Sequence, residues 1–449
     1  MLKTILKYTM LLTAVLLWSC EPNTDEFTPA NGSADFSKFV AIGDSYTAGY
    51  TDGALGRKGQ ESGFSYILGQ QLAYVGSNSY NQPLVQSEGS VGTTDLPTGG
   101  KNGYLKLELS EAGIAPVPTV GDMSIFADEI YSPDNQNFGV PGAKVIHLGE
   151  LPDPSPSYAQ LNPFFKRFAS SDQATVIGDA MAANPSFVSL WIGGNDVLTY
   201  ALTGGEDDAI TPSAMFDYAL SEIAKVAFGS GQQGVIANVP GIDALPYFTT
   251  IPYNAFTIDA KTAAVLNSKY EQYNLAAKQM GLAEMVFSEG SNAFVIYDET
   301  IPAQLGSRRQ ATSDDRLLLT AKAEAQSWTA TSDPILGNEF VLTTTELDEI
   351  RNATNAYNET IKGISKQYGL AHVDLYAIMK ELSEKGLVID GHKYSAAFVS
   401  GGAFSLDGLH ATGRGSAIIA NAFIEAINTT YKANVPLANV NDYDMVEFP

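Results

Sequence analysis

The 449-residue chain holds one cysteine, Cys20, and four histidines. A single cysteine excludes any disulfide within the chain. His147, His372 and His392 show no metal-ligand spacing, and no His-Glu-x-x-His pattern occurs. His372 reads as a hydrogen-bonded core residue on a strand. Basic residues are few: 26 Lys and Arg stand against 50 Asp and Glu, for a formal net charge of −24. A surface of that sign repels phosphate backbones and anionic headgroups, so the composition argues against nucleic acid as a partner and against electrostatic docking on anionic lipid. Asp134-Asn135-Gln136-Asn137 lacks the glutamate that a calcium-binding hand needs. Gly-x-Ser-x-Gly and Gly-Lys-Ser/Thr are both missing. Gly229-Ser230-Gly231-Gln232-Gln233-Gly234 has dinucleotide-fingerprint spacing, but it closes a helical pattern and precedes a strand, the reverse of the required context. No metal or cofactor is expected.

Apolar residues are not scarce, at 45% of the chain, and a chain this long can bury a substantial core. Residues 1–19 carry Lys3 and Lys7 and no acid, followed by the apolar run Tyr8–Trp18 and a small residue, Ser19. That is the layout of a signal peptide, and the run is too short to span a bilayer comfortably. Leu17-Trp18-Ser19-Cys20 resembles a bacterial lipobox, with Trp at a position usually held by a small residue. Cys20 is therefore expected to carry lipid at a mature N-terminus and to anchor the protein outside the cytoplasm, at a bacterial outer membrane. Loss of the leader with its two lysines takes the net charge from −24 to −26.

Along the chain, apolar strands alternate with amphipathic helices. Phe39–Gly43, Phe187–Ile192, Gly234–Pro240 and Leu370–Leu375 read as buried strands; Ser65–Tyr74, Pro212–Phe228, a stretch near 258–279, Thr343–Tyr368 and Gly413–Asn428 read as helices. Alternation of this kind predicts an α/β fold with a mostly parallel sheet covered on both faces. In such sheets ligands bind beyond the carboxyl ends of the strands. Ser45 stands two residues past Gly43, the loop Asn137–Gly142 is punctuated by glycine, Asn195 follows the strand ending at Ile192, and Asp407-x-x-His410 precedes the last helix.

Those positions supply the groups that acyl transfer requires: a nucleophile, a base, a carboxylate that orients the base, and donors for a developing oxyanion. Asp407 and His410 fall on one turn, so that the carboxylate can accept from Nδ1–H and leave the other ring nitrogen to face Ser45. The Ser45 and Gly142 N–H groups and the Asn195 amide are the candidate donors. Asp196 reads as a residue that orients the Asn195 loop.

The same residues resemble the four blocks of the SGNH hydrolases, the GDSL esterase/lipase family: Gly43-Asp44-Ser45, Asn137 through Gly142, Gly194-Asn195-Asp196, and Asp407-x-x-His410, in that order over 38–429. Ala411 stands where many members have proline. The resemblance implies a flavodoxin-like three-layer α/β/α fold and metal-free hydrolysis of an ester, whether lipid, acetylated glycan or small ester. The organisation expected is a signal peptide (1–19), a lipid-anchored flexible tether (20–36), a hydrolase domain (37–430) with insertions at about 51–131 and 241–343, and a C-terminal tail (431–449). Two other functions compete: a glycan- or lipid-binding surface protein on the same scaffold, and a metal-dependent hydrolase using Asp44, Asp407 and His410.

Overall fold

The computed structural model describes residues 27–110, 113–150, 156–207, 209–326, 328 and 334–449. Cys20, the leader and the start of the tether lie outside the described residues. Five parallel strands form the central sheet: β1 (Phe39–Gly43), β2 (Asn137–Gly139), β3 (Phe187–Trp191), β4 (Gln233–Ala237) and β5 (Ala371–Val373). Their order across the sheet is β2-β1-β3-β4-β5, the flavodoxin-like arrangement, with its switch point between β1 and its two neighbours.

The middle of the sheet follows from composition. β1 is buried along its whole length, as is β3. A strand covered on both faces needs no polar alternation, and each fully buried Phe, Val or Ile contributes about 1.5–3 kcal/mol. Helices 64–73 and 413–431 pack on one face, and helices 176–182, 213–228 and 344–368 on the other, which completes three layers. Helix 344–368 begins at a capping box in which the Thr343 and Glu346 side chains satisfy each other's backbone N–H. Its Leu347, Ile350, Tyr357, Ile361 and Ile364 are buried.

Several elements differ from expectation. The strand expected over 370–375 stops at Val373, because Asp374 turns the chain by accepting from Ala377 N–H and starts helix 375–384. The helix expected near 258–279 is two helices, 260–269 and 271–279, separated at Tyr270. His372 has a ring nitrogen, Nε2, without a partner among the described residues, rather than a fully hydrogen-bonded ring; burial lowers its pKa. The tether also ends earlier than expected. Ala34 and Phe36 are core residues, the Phe36 ring lies 4.8 Å from that of Phe187, and Ala30 pairs with Asn434. The C-terminal segment folds back likewise, burying Val435, Ala438 and Val440.

The segment expected as the first insertion, between β1 and β2, contains the antiparallel hairpin 102–110/113–120 and joins the body through Leu55, Val85, Val91 and Ile125. The second has apolar clusters of its own, one around Phe294, Ile296 and Leu336 and another around Leu266, Met285 and Phe287.

Candidate active site

β1 delivers Ser45 to the carboxyl edge of the sheet. The Asp44 carboxylate caps the short helix Ser45–Ala48 by accepting from Tyr46 N–H, and Gly49 ends it. Ser45 is thereby held at the first position of a tight turn, 8% exposed. Its Oγ lies 2.8 Å from His410 Nε2, and His410 Nδ1 lies 2.7 Å from Asp407 Oδ2. A carboxylate only accepts, which assigns the proton to Nδ1 and leaves Nε2 to accept from the Ser45 hydroxyl.

Asp407 is held from several directions. Oδ1 accepts from Ser405 Oγ–H and from the Leu409 and His410 N–H groups; Oδ2 accepts from Gly53 N–H as well as from the imidazole. Burial alone would raise this carboxyl, but the His410 charge and the hydrogen bonds from His410 and Leu409 outweigh it and hold Asp407 well below the usual carboxylate range. The imidazole sits between two tyrosines, the Tyr46 ring centroid at 5.3 Å and the Tyr50 centroid at 4.8 Å. The Tyr46 hydroxyl donates to the Leu409 carbonyl, tying the residue after Ser45 to the residue before His410.

On the other side of Ser45, Val140 N–H donates to the Gly43 carbonyl, so the loop after β2 continues along β1. Gly142 takes φ +79°, a conformation that an L side chain resists, and its amide follows a carbonyl pinned by Asn162 Nδ2. Among the described residues the Ser45 and Gly142 N–H groups have no acceptor. Asn195 starts helix 195–202, and its Nδ2 donates one hydrogen to the Ala143 carbonyl at 3.0 Å, which leaves the second amide hydrogen. Asp196 is fully buried and accepts from Val145 N–H, so it stitches the Asn195 turn to the Gly142 loop. Ser45, His410 and Asp407 thus form one hydrogen-bonded chain, and Gly142 and Asn195 are joined through Ala143.

Two more carboxyls are buried here. Burial pushes both Asp44 and Asp196 up to about 6; for Asp44 the Tyr46 N–H and the His410 charge offset part of the rise, and Asp196 adds to it. Among the described residues no group of three or more His, Cys, Asp or Glu side chains is placed to hold a metal ion. No described helix is long and apolar enough to cross a membrane.

Tyr46, Tyr50, Asp52, Gly53 and Ser405 were not foreseen. Asp52-Gly53 is a turn signal in any sequence, but nothing local shows that the turn lies against residues 405–410.

No family model matches the sequence, and no curated protein matches it. Among solved structures, LAE5, an alpha/beta hydrolase from the metagenome of Lake Arreo in Spain, aligns with 13% identity over 88% of this chain and 96% of its own, at a TM-score of 0.37. A catalytic mutant of Axe2, an acetylxylan esterase from Geobacillus stearothermophilus, aligns with 13% identity over 88% and 95%, at a TM-score of 0.35.

Proposed function

We propose that this protein is a serine esterase of the SGNH type that cleaves carboxylic esters through an acyl-enzyme. The observation that carries the reading is the unbroken chain from Ser45 Oγ through both imidazole nitrogens to a carboxylate with five donors. In the first half-reaction Ser45 Oγ attacks the ester carbonyl while His410 Nε2 takes the hydroxyl proton. Asp407 keeps the imidazole in the right tautomer and stabilises the imidazolium. The carbonyl oxygen gains negative charge and is met by the Ser45 and Gly142 N–H groups and the second Asn195 amide hydrogen. Collapse breaks the bond to the alcohol, which leaves with the proton from His410. Water then attacks the acyl-Ser45 ester with His410 again as base, releasing the acid and restoring the serine.

Retention of these groups at bonding distance supports a reacting centre over a binding scaffold, which needs none of them. The proposed substrate is an ester: lipid, acetylated glycan or small ester. The protein is further proposed to be held at a membrane, outside the cytoplasm, by lipid on Cys20. A Cys20→Ala chain should leave the membrane fraction or remain unprocessed; a soluble wild type with a free Cys20 thiol overturns the anchor.

The test of activity is hydrolysis of p-nitrophenyl esters of graded chain length and of acetylated polysaccharides, with mass analysis after a serine-reactive phosphonate. Label at Ser45 and loss of turnover in Ser45→Ala are expected. Turnover that survives in Ser45→Ala, or responds to chelator and not to phosphonate, overturns the reading.

A further inference from the structure

The first insertion meets the candidate acid at a two-residue turn. Thr51 and Ala54 exchange backbone hydrogen bonds, and between them Asp52 and Gly53 take φ +47° and +75°, the signs of a type I′ turn. Asp-Gly is a favoured pair there, yet the first position still asks a side-chain-bearing residue to adopt a left-handed backbone. A strained position held this firmly invites a functional explanation when its surroundings provide one.

Here they do. Asp52 N–H donates to Ser405 Oγ at 3.0 Å, and Ser405 Oγ–H donates to Asp407 Oδ1 at 3.0 Å. Gly53 N–H donates to Asp407 Oδ2 at 2.9 Å. The Asp52 side chain closes the loop from the other end, with Oδ1 accepting from Leu406 N–H at 2.9 Å. The turn is itself anchored: Leu105 N–H donates to the Asp52 carbonyl at 2.7 Å, and Asn102 Nδ2 and the Tyr50 hydroxyl donate to the Gly53 carbonyl. Thr51 Oγ1–H reaches the Ala411 carbonyl, just past the imidazole. Residues 405–411 are therefore gripped on both sides of Asp407 by four hydrogen bonds with three consecutive residues, Thr51, Asp52 and Gly53.

We propose that Asp52 is a positioning residue for Asp407 and His410, fixing the loop that carries them and adding a second negative charge behind the imidazole. The proposal rests on the serine-esterase reading of Ser45, His410 and Asp407. The charge belongs to a defined surrounding: Asp407, Lys58, Glu447 and Tyr104 face Asp52, and Asp44 faces His410. Burial pushes Asp52 up to about 6, helped by Asp407 and Glu447 and opposed by Leu406 N–H and Lys58, so it is ionised at neutral pH. Ionised, it favours the imidazolium that forms during each acyl transfer.

Asp52→Asn separates charge from shape, since asparagine tolerates the left-handed backbone and its side-chain oxygen can still accept from Leu406 N–H. Asp52→Ala removes both. For the full chain, kcat and KM for a p-nitrophenyl ester and the rate of phosphonate labelling at Ser45 are measured against pH for wild type and both variants, with melting temperature alongside. In Asp52→Asn the acid limb of kcat/KM and of labelling should move to lower pH by about half to one unit, because an attractive charge near the base is gone. Its kcat should fall by about 3–10-fold with KM unchanged and with no loss of melting temperature, since a carboxyl raised by burial opposes folding when ionised, and Asp52→Ala should lose on the order of ten-fold more. An unmoved acid limb in Asp52→Asn, or a loss of kcat that only tracks a lower melting temperature, assigns Asp52 a purely structural part and overturns the proposal. Label at a residue other than Ser45 in the wild type overturns the serine-esterase reading instead, and this proposal with it.

Discussion

The two insertions both touch the loop that carries Asp407 and His410, but with different kinds of contact. The first reaches the carboxylate itself: Gly53 N–H donates to Asp407, and Asp52 braces Ser405 and Leu406. The second reaches the loop's backbone, through Tyr247 N–H donating to the Gly408 carbonyl at 3.0 Å. Their interiors differ as well. The first has a small cluster built on body residues such as Ala48 and Phe164. The second keeps two apolar clusters and a buried ion-pair network, in which Arg309 bonds Asp298 and grips Asp315 with both terminal nitrogens. An element that shares its stability with the site transmits damage to it, whereas an element with its own core can loosen alone.

The largest effect belongs to the contact point of the first insertion. Asp407→Asn should cut kcat by up to about 10⁴-fold with the fold intact, because the imidazole loses its tautomer and its counter-charge; near-normal turnover would mean that another carboxylate orients the base. On the far side of Ser45, Asn195→Gly should lower kcat by about 10²–10³-fold with little change in KM if the amide serves the oxyanion. Wild-type turnover in that variant returns Asn195 to a turn former tied to Ala143. Gly53→Ala tests transmission directly. A Cβ at φ +75° is strained, and on the order of ten-fold in kcat should go with a loss of about 1–2 kcal/mol in stability. The matching lesion in the second insertion is Arg309→Met, which leaves two buried carboxylates unpaired. It should destabilise that insertion by about 3–5 kcal/mol, read as faster local hydrogen exchange over 294–317, with small-ester turnover changed less than about two-fold. A parallel collapse of turnover would erase the contrast.

One further experiment sharpens the account of the ground between the insertions. Asp44 has its pKa raised by burial from the ordinary 3.8 to about 6. A raised folded value means the ionised form opposes folding, so stability is lost as pH rises through that window and is fully regained below it. Asp44→Asn keeps an acceptor for Tyr46 N–H and removes the charge. It should gain about 1–3 kcal/mol at pH 7.5 and nothing near pH 3.5, measured by urea unfolding at both values.

What the sequence shows of this molecule is its local chemistry. β1 and β3 are legible as continuous apolar runs, and Ser45, Asn195 and His410 stand out because each follows a strand end or precedes a helix. β2 and β5 are three residues each, too short for periodicity to register, and Asp374 looks like strand until its capping role is seen. The reach of Asp52 to Leu406 joins residues 354 apart in the chain. No pattern within either segment encodes that meeting, which arises from where the hairpin 102–120 sets the turn.

The course of the chain before β1 has a consequence for how the molecule addresses its surroundings. Ser33 N–H donates to the Tyr431 carbonyl, Asp35 N–H to Gln233, and Lys38 N–H to Ser186. The polypeptide is thus moored beneath the amino ends of β1, β3 and β4, while Ser45 opens beyond their carboxyl ends. One strand of five residues separates the two poles, about 17 Å. A support joined to the described chain at this edge would therefore stand at the opposite pole from Ser45.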